Sequence, residues 1–171
     1  VIETSITIEF EVPDEHLWVF CDIAQLDNAL LNLVLNARDS MLSSGQGDRI
    51  TVFARSVSEI DTDTVLRREH PNSYVTNGLH NEHHQTQTAD ANTAFRYVEF
   101  GVMDNGPGMP DDVKARAVDP FFTTKEDNAG TGLGLSMVYG FVQQSNGELR
   151  LYSEPGQGTT VRLLLPRGTE H

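Results

Sequence analysis

Gly130-Thr131-Gly132-Leu133-Gly134-Leu135-Ser136 places alternate glycines immediately before a helical stretch that runs from about Leu135 to Ser145 and stops at Asn146-Gly147. Glycines ahead of a helix amino terminus let phosphate oxygens approach free backbone N–H groups at the positive end of the helix dipole. A dinucleotide-binding turn is one alternative, because Glu154 closes a strand about 20 residues on, where a ribose-binding acid belongs. Two features exclude it. The G-x-G-x-x-G spacing requires glycine where the chain has Leu135, and the preceding segment, Phe121-Phe122-Thr123-Thr124-Lys125-Glu126-Asp127, is not a buried strand. The chain also lacks a G-x-x-x-x-G-K-[ST] phosphate loop and the H-R-D and D-F-G sets of Ser/Thr/Tyr protein kinases.

Downstream of the glycine turn, Leu149 to Ser153 and Thr160 to Leu165 flank Pro155-Gly156-Gln157-Gly158, which reads as a β-hairpin. Upstream, Asp104-Asn105-Gly106-Pro107-Gly108-Met109-Pro110 is a turn, and a short helix is expected from Asp111 to Ala117. Val98, Phe100 and Val102 alternate as a strand, as do Ile50, Val52 and Ala54. Ile6, Ile8, Phe10 and Val12 predict a half-buried strand, and Leu17-Trp18-Val19-Phe20 a second short one. Between them and Ile50, Ile23, Leu26, Leu30, Leu33, Val34, Ala37 and Met41 recur at helical spacing, with Asp22 placed to cap the start and Gly45 beyond the end. The interval 56–93 lacks a sustained apolar period and reads as a surface insertion. Strands mixed with helices predict an α/β sandwich in one domain.

Within the long helix, Asn32-Leu33-Val34-Leu35-Asn36 puts two carboxamides on one face, one turn apart. An asparagine side-chain oxygen is a hard ligand of the kind Mg²⁺ accepts where phosphates and water supply its other positions. Asp104, at the end of a strand, offers a carboxylate to an amino group, and adenine presents such a donor where guanine presents an acceptor.

At 171 residues the chain is long enough to bury a core, and 38% apolar with 22% charged residues excludes a disordered tail. Lys and Arg number 12 against 25 Asp and Glu, a formal charge of -13. That balance argues against gripping nucleic acid or anionic lipid through a broad basic face, so an anionic ligand must be held locally. The single Cys21 excludes an internal disulfide and a Cys-based zinc site and fits a reducing compartment. No run approaches the roughly 20 apolar residues of a membrane span, so the expected location is cytoplasmic. His80, His83 and His84 have a spacing that a helix would align for metal binding, but helix signals are missing around them and they read as a solvated loop.

Four segments carry a resemblance: Asn32-Leu33-Val34-Leu35-Asn36-Ala37-Arg38-Asp39-Ser40-Met41, Asp104-Asn105-Gly106-Pro107-Gly108-Met109, Pro120-Phe121-Phe122-Thr123-Thr124-Lys125 and Gly130 to Ser136. In that order they resemble the asparagine, first glycine, phenylalanine and second glycine boxes of the catalytic ATP-binding domain of bacterial sensor histidine kinases. That domain belongs to the GHKL superfamily of ATPases and kinases. Gly156-Gln157-Gly158-Thr159-Thr160-Val161, with Leu165-Pro166 after it, looks like the domain's closing hairpin. The stretches Pro120 to Lys125 and Tyr152 to Thr159 are most similar to kinases of nitrogen-sensing type.

The resemblance implies the Bergerat fold, a two-layer α/β sandwich whose mixed, mostly antiparallel sheet is backed by helices, with ATP between a helix face and a mobile lid. It implies one domain over 1–166, a lid over 110–132 and a tail over 167–171. Asn36 would coordinate Mg²⁺, with Asn32 assisting on the same face. Asp104 would contact the adenine amino group, Gly106 and Gly108 would shape the pocket, and Thr159 would lie nearby. Gly132, Leu133 and Gly134 would offer N–H groups to phosphates. Thr124, Gly130, Thr131 and Leu135 complete the nucleotide-binding set, and Lys125 would reach the γ-phosphate. Two positions depart from the pattern: Asp39 stands where many histidine kinases have Lys or Arg, and Val118 where the phenylalanine box often opens with Phe.

Related hydrolases of the superfamily carry Glu one helical turn before the metal asparagine, as the base for water. Here that position is Asn32, an amide that takes no proton at neutral pH. A phosphoryl acceptor with its own lone pair fits better, and neutral imidazole, with a pKa of about 6.5, is one. The resemblance therefore implies transfer from ATP to a histidine on a separate helical dimerisation and phosphoacceptor domain, and indirectly to a response regulator. None of the 6 histidines occupies a position suited to that role. The isolated chain is expected to be a monomer without direct nucleic-acid or membrane contact. The alternatives are a serine kinase or ATPase of the same superfamily and a nucleotide-binding regulatory module.

Overall fold

The computed structural model describes residues 5–57, 74–76, 97–117 and 134–168. Expectations for most of the insertion, for 118–132 of the lid and for the tail from 169 lie outside these residues. So do those for Thr124, Lys125, Gly130, Thr131, Gly132 and Leu133, and for His70, His80, His83, His84 and His171.

Six strands, β1 (Thr7–Glu11), β2 (Arg49–Val57), β3 (Tyr74–Thr76), β4 (Tyr97–Asp104), β5 (Glu148–Glu154) and β6 (Gly158–Pro166), form one sheet in the order β1-β2-β4-β6-β5-β3. Only β1 with β2 is parallel; the other pairs are antiparallel. The expected sandwich with a mixed, mostly antiparallel sheet is the one observed. Three helices are described: α1 (Ile23–Ser44), α2 (Asp111–Arg116) and α3 (Gly134–Gln144).

Helix α1 begins where the Asp22 side chain accepts the Gln25 N–H at 3.2 Å and ends at Gly45, whose φ of 68° turns the chain out of the helix. Leu26, Ala29, Leu33, Ala37 and Met41 form its buried stripe, which packs with Val138, Phe141 and Val142 of α3 onto one face of the sheet. Met41, Ile50, Leu149, Leu151, Leu163 and Leu165 are fully buried there. Central strand β4 is buried on both sides. On the face away from the helices, Glu99 has no exposed surface and accepts Arg162 Nη1 at 3.1 Å, with Arg55 Nη2 3.2 Å away. The Arg162 guanidinium also lies 5.6 Å from the Phe53 ring and 5.4 Å from the Tyr152 ring.

Four local expectations change. Strand β1 is exposed along its whole length, with Ile8 47% and Phe10 71% exposed, because it is the outer strand of the sheet. Leu17 to Phe20 makes only one isolated bridge, Val19 to Arg167, rather than a strand. Ile23 is 69% exposed in the first turn of α1 rather than part of its buried stripe. The interval read as an insertion starts within β2, which continues through Ser56 and Val57, and contains β3 on the opposite edge beside β5.

Candidate functional site

Asn32 and Asn36 are half-buried on α1 between the fully exposed and core-facing sides of the helix. Asn36 faces the amino end of α3: a Cβ placed on Gly134 would lie 3.1 Å from its Nδ2 and 3.3 Å from its Oδ1. Five residues further along α1, about 7.5 Å of helix rise, Met41 meets the Asp104 turn. There a Cβ on Gly106 would lie 2.8 Å from Met41 Cγ and 2.9 Å from Asp104 Oδ1. One helix thus joins both ends of the site. Leu135, the next residue of α3, packs against the core.

Asp104 closes β4 directly opposite Ile50 of β2 and Thr159 of β6. Its Oδ1 accepts the Gly106 N–H at 2.9 Å and the Thr159 N–H at 3.3 Å. Both hydrogen bonds fall on one oxygen, so among the described residues none reaches Oδ2. Burial pushes the Asp104 carboxyl above the ordinary aspartate range, and the two backbone N–H groups oppose that rise in part. An acceptor held in this way, with one oxygen saturated by the protein, selects a ligand donor for the other.

The turn after Asp104 is fastened on both sides. Asn105 Oδ1 accepts the Asp48 and Arg49 N–H groups, each at 2.9 Å, and its Nδ2 donates to Asp48 Oδ1 at 2.9 Å. Gly108, at φ 69°, packs so closely on the Glu154 carbonyl that a Cβ would overlap it, and Gly156 N–H donates to Pro107 O at 2.7 Å. The turn therefore sits on the β5–β6 hairpin.

Two residues stand out here that the sequence reading did not single out. Ser153 is buried in β5 opposite Thr159; its hydroxyl accepts the Met109 N–H at 2.8 Å and lies 2.8 Å from Thr159 Oγ1. Lys114 of α2 is buried, donates to the Ser153 carbonyl at 3.2 Å and lies 3.4 Å from Asp111 Oδ1. A lone hydroxyl ending the predicted strand Leu149 to Ser153, across a short hairpin from a threonine, is the signal that could have found Ser153. A lysine in a short polar helix carries no comparable signal.

Arg38, the cation next to Asp39, pairs with Asp39 itself, Nη2 to Oδ1 at 3.2 Å. Among the described residues no three His, Cys, Asp or Glu side chains group to hold a metal. An amide oxygen such as that of Asn36 is, as a type, a neutral hard donor. No helix among the described residues is long and apolar enough to cross a membrane.

Residues 21–169 match the family model described as histidine kinase-, DNA gyrase B-, and HSP90-like ATPase. Over 152 residues the chain is 40% identical to the sensor kinase CckA of Brucella abortus (strain 2308), a match covering 88% of this chain and 13% of that protein. The chain is therefore similar to a small part of a much longer relative. Among solved structures, the catalytic domain of the histidine kinase ThkA superposes with a TM-score of 0.60 at 22% identity, covering 95% of this chain and 79% of that one. Full-length ShkA in complex with AMPPNP gives 0.62 at 22% identity, covering 98% of this chain and 27% of that one. At these identities the likeness is one of fold.

Proposed function

The chain belongs to the histidine kinase-, DNA gyrase B- and HSP90-like ATPase family, and on that premise we propose that it binds Mg-ATP and donates the γ-phosphoryl group to a histidine of a helical dimerisation and phosphoacceptor domain. The observation that carries this reading is the pairing of two half-sites along α1. An acceptor-only carboxylate at Asp104 lies by Met41, and the Asn36 amide oxygen lies against the amino end of α3 at Gly134.

Asp104 Oδ2 accepts the adenine amino group, while Gly106, Gly108 and Thr159 shape the pocket around it. Asn36 Oδ1 supplies the protein ligand to Mg²⁺, which when bound neutralises charge on the phosphates. Asn32, on the same face, cannot act as a base for water, so hydrolysis is slow and a nucleophile bringing its own lone pair is preferred. Gly134 and Leu135 open the helix end that faces the phosphates. Thr124, Gly130, Thr131, Gly132 and Leu133 complete that end of the site by the family resemblance, and Lys125 supplies the cation for the γ-phosphate. The parent protein passes the phosphoryl group on to a response regulator in the cytoplasm, and the isolated chain is a monomer.

The test is incubation of the chain with labelled ATP and isolated helical phosphoacceptor domains, followed by acid and base treatment. Label lost in acid and retained in base marks phosphohistidine and supports the reading. Acid-stable label marks a serine kinase, and rapid phosphate release without labelling marks a hydrolase; either outcome overturns it.

A further inference from the structure

Ser153, Thr159, Asp104 and Ile50 stand directly opposite one another across β5, β6, β4 and β2, so their side chains share the helix-facing side of the sheet. The first three form a polar row ending at the carboxylate. Ser153 Oγ has three neighbours within hydrogen-bond distance: the Met109 N–H at 2.8 Å, the Gly158 carbonyl at 3.2 Å and Thr159 Oγ1 at 2.8 Å. A serine hydroxyl has one proton and two lone pairs. Met109 N–H can only donate and the Gly158 carbonyl can only accept. All three contacts are hydrogen bonds in one arrangement alone. Ser153 accepts from Met109, gives its proton to Gly158 O, and accepts the proton of Thr159.

That arrangement leaves the Thr159 hydroxyl with its proton committed to Ser153 and only lone pairs for a ligand. Beside it, Asp104 offers only an acceptor. We propose that Ser153 is a specificity-determining positioning residue: by holding the Thr159 proton it keeps the Asp104–Thr159 edge free of donors, so that the edge accepts the adenine amino group and repels guanine O6. This rests on the reading that Asp104 meets the adenine base. Because the hydroxyl also binds the N–H of Met109, the residue before the start of the expected lid, the same contact ties that segment to the base-reading edge.

Removing the hydroxyl frees the Thr159 proton to turn toward the ligand, where it can meet an acceptor such as O6. The backbone at Ser153 stays held by Lys114 Nζ and by the β5–β6 ladder, so Ser153→Ala is expected to fold. The experiment measures ATP and GTP dissociation constants by calorimetry for the 171-residue chain and its variants. Ser153→Ala should keep ATP affinity within about threefold and lower the ATP-over-GTP preference about tenfold, the scale of one hydrogen bond. Adding Thr159→Val to Ser153→Ala should remove the gained GTP binding, since no hydroxyl proton is then available. A purely structural brace would weaken both nucleotides by the same factor and leave the preference at its parental value, which overturns the proposal. If Ser153→Ala does not fold, Ser153→Cys, with a thiol that is a poor hydrogen-bond partner, carries the same expectations and the same overturning result. A parent chain without any preference for ATP overturns the adenine reading of Asp104. A parental preference retained in the serine variants overturns the role of Ser153 alone.

Discussion

Gly134, the first residue of α3, abuts the Asn36 carboxamide of α1 so closely that an added Cβ would lie 3.1 Å from Nδ2 and 3.3 Å from Oδ1. The amide oxygen and the helix end can serve one ligand together only if nothing is inserted between them.

Gly134→Ala is therefore expected to turn the Asn36 amide away and weaken Mg-ATP binding about tenfold. Thermal stability should change by no more than about 1 kcal/mol, since alanine suits a helix better than glycine does. Titration calorimetry with and without Mg²⁺ reads the first effect and thermal unfolding the second. Equal loss of affinity with and without Mg²⁺ would show that Asn36 holds no cation.

Asn36→Ala should abolish the Mg²⁺ dependence of ATP binding while leaving the fold intact, because the side chain is half-buried and no hydrogen bond of the described residues depends on it. The check is ATP affinity measured in Mg²⁺ and in chelator: the two values should converge.

Asp104 gives a prediction in pH. Its carboxyl is raised by burial, so the folded chain binds that proton more tightly than the unfolded chain does. Stability linked to this group is then greatest at acid pH and falls as pH rises from the ordinary aspartate range through the raised value. Nucleotide binding that needs the ionised form runs the other way and is lost as pH falls through the raised value. Asp104→Asn should weaken ATP and ADP alike, by about tenfold, and flatten the acid limb of binding. Its melting temperature should exceed that of the parent at neutral pH, with the difference closing toward acid pH. Calorimetry and thermal melts across pH read both limbs, and a variant less stable than the parent at neutral pH would contradict the burial effect.

Gly108→Ala should be destabilising by about 3 kcal/mol, because the residue has φ 69° and its Cβ position is occupied by the Glu154 carbonyl. Chemical denaturation should show the loss, with nucleotide affinity falling in step because the turn leaves the hairpin.

On the opposite face, Glu99→Ala should cost about 3 kcal/mol, since it leaves the half-buried Arg162, set against Phe53 and Tyr152, without its fully buried carboxylate. ATP affinity of the folded fraction should stay at the parental value, because this cluster lies on the side of the sheet away from α1 and α3. Denaturant midpoints and calorimetry separate the two.

Local chemistry made much of this fold legible. Asp22 and Gly45 bound α1 because a cap and a left-handed turn are encoded in single residues, and Asn146 at φ 56° with Gly147 ends α3 for the same reason. The hairpin around Gly156 and the turn after Asp104 follow equally from their glycines. Periodicity failed where position within the sheet decides burial. Strand β1 alternates like a half-buried strand, yet it is the outermost strand and is exposed on both faces. Strand β4 has a similar alternation but is central and buried on both, so Glu99 sits in an ion pair that its pattern did not suggest.

The same division holds at the site. Asn36, Asp104 and the glycines could be named from the sequence because each stands in a short motif whose chemistry depends on its immediate neighbours. Lys114 could not, because its importance arises from Ser153, 39 residues away, and Ser153 showed only as a hydroxyl across a short hairpin from Thr159, its contact with Met109, 44 residues away, being set by the fold. The sequence alone determined the α/β class, the helix limits and the candidate residues for holding a nucleotide. The tertiary structure decided which of them meet and how the Ser153 proton must be shared, because burial and hydrogen-bond partnership are set by strand order and cross-strand register, which no local run of residues contains.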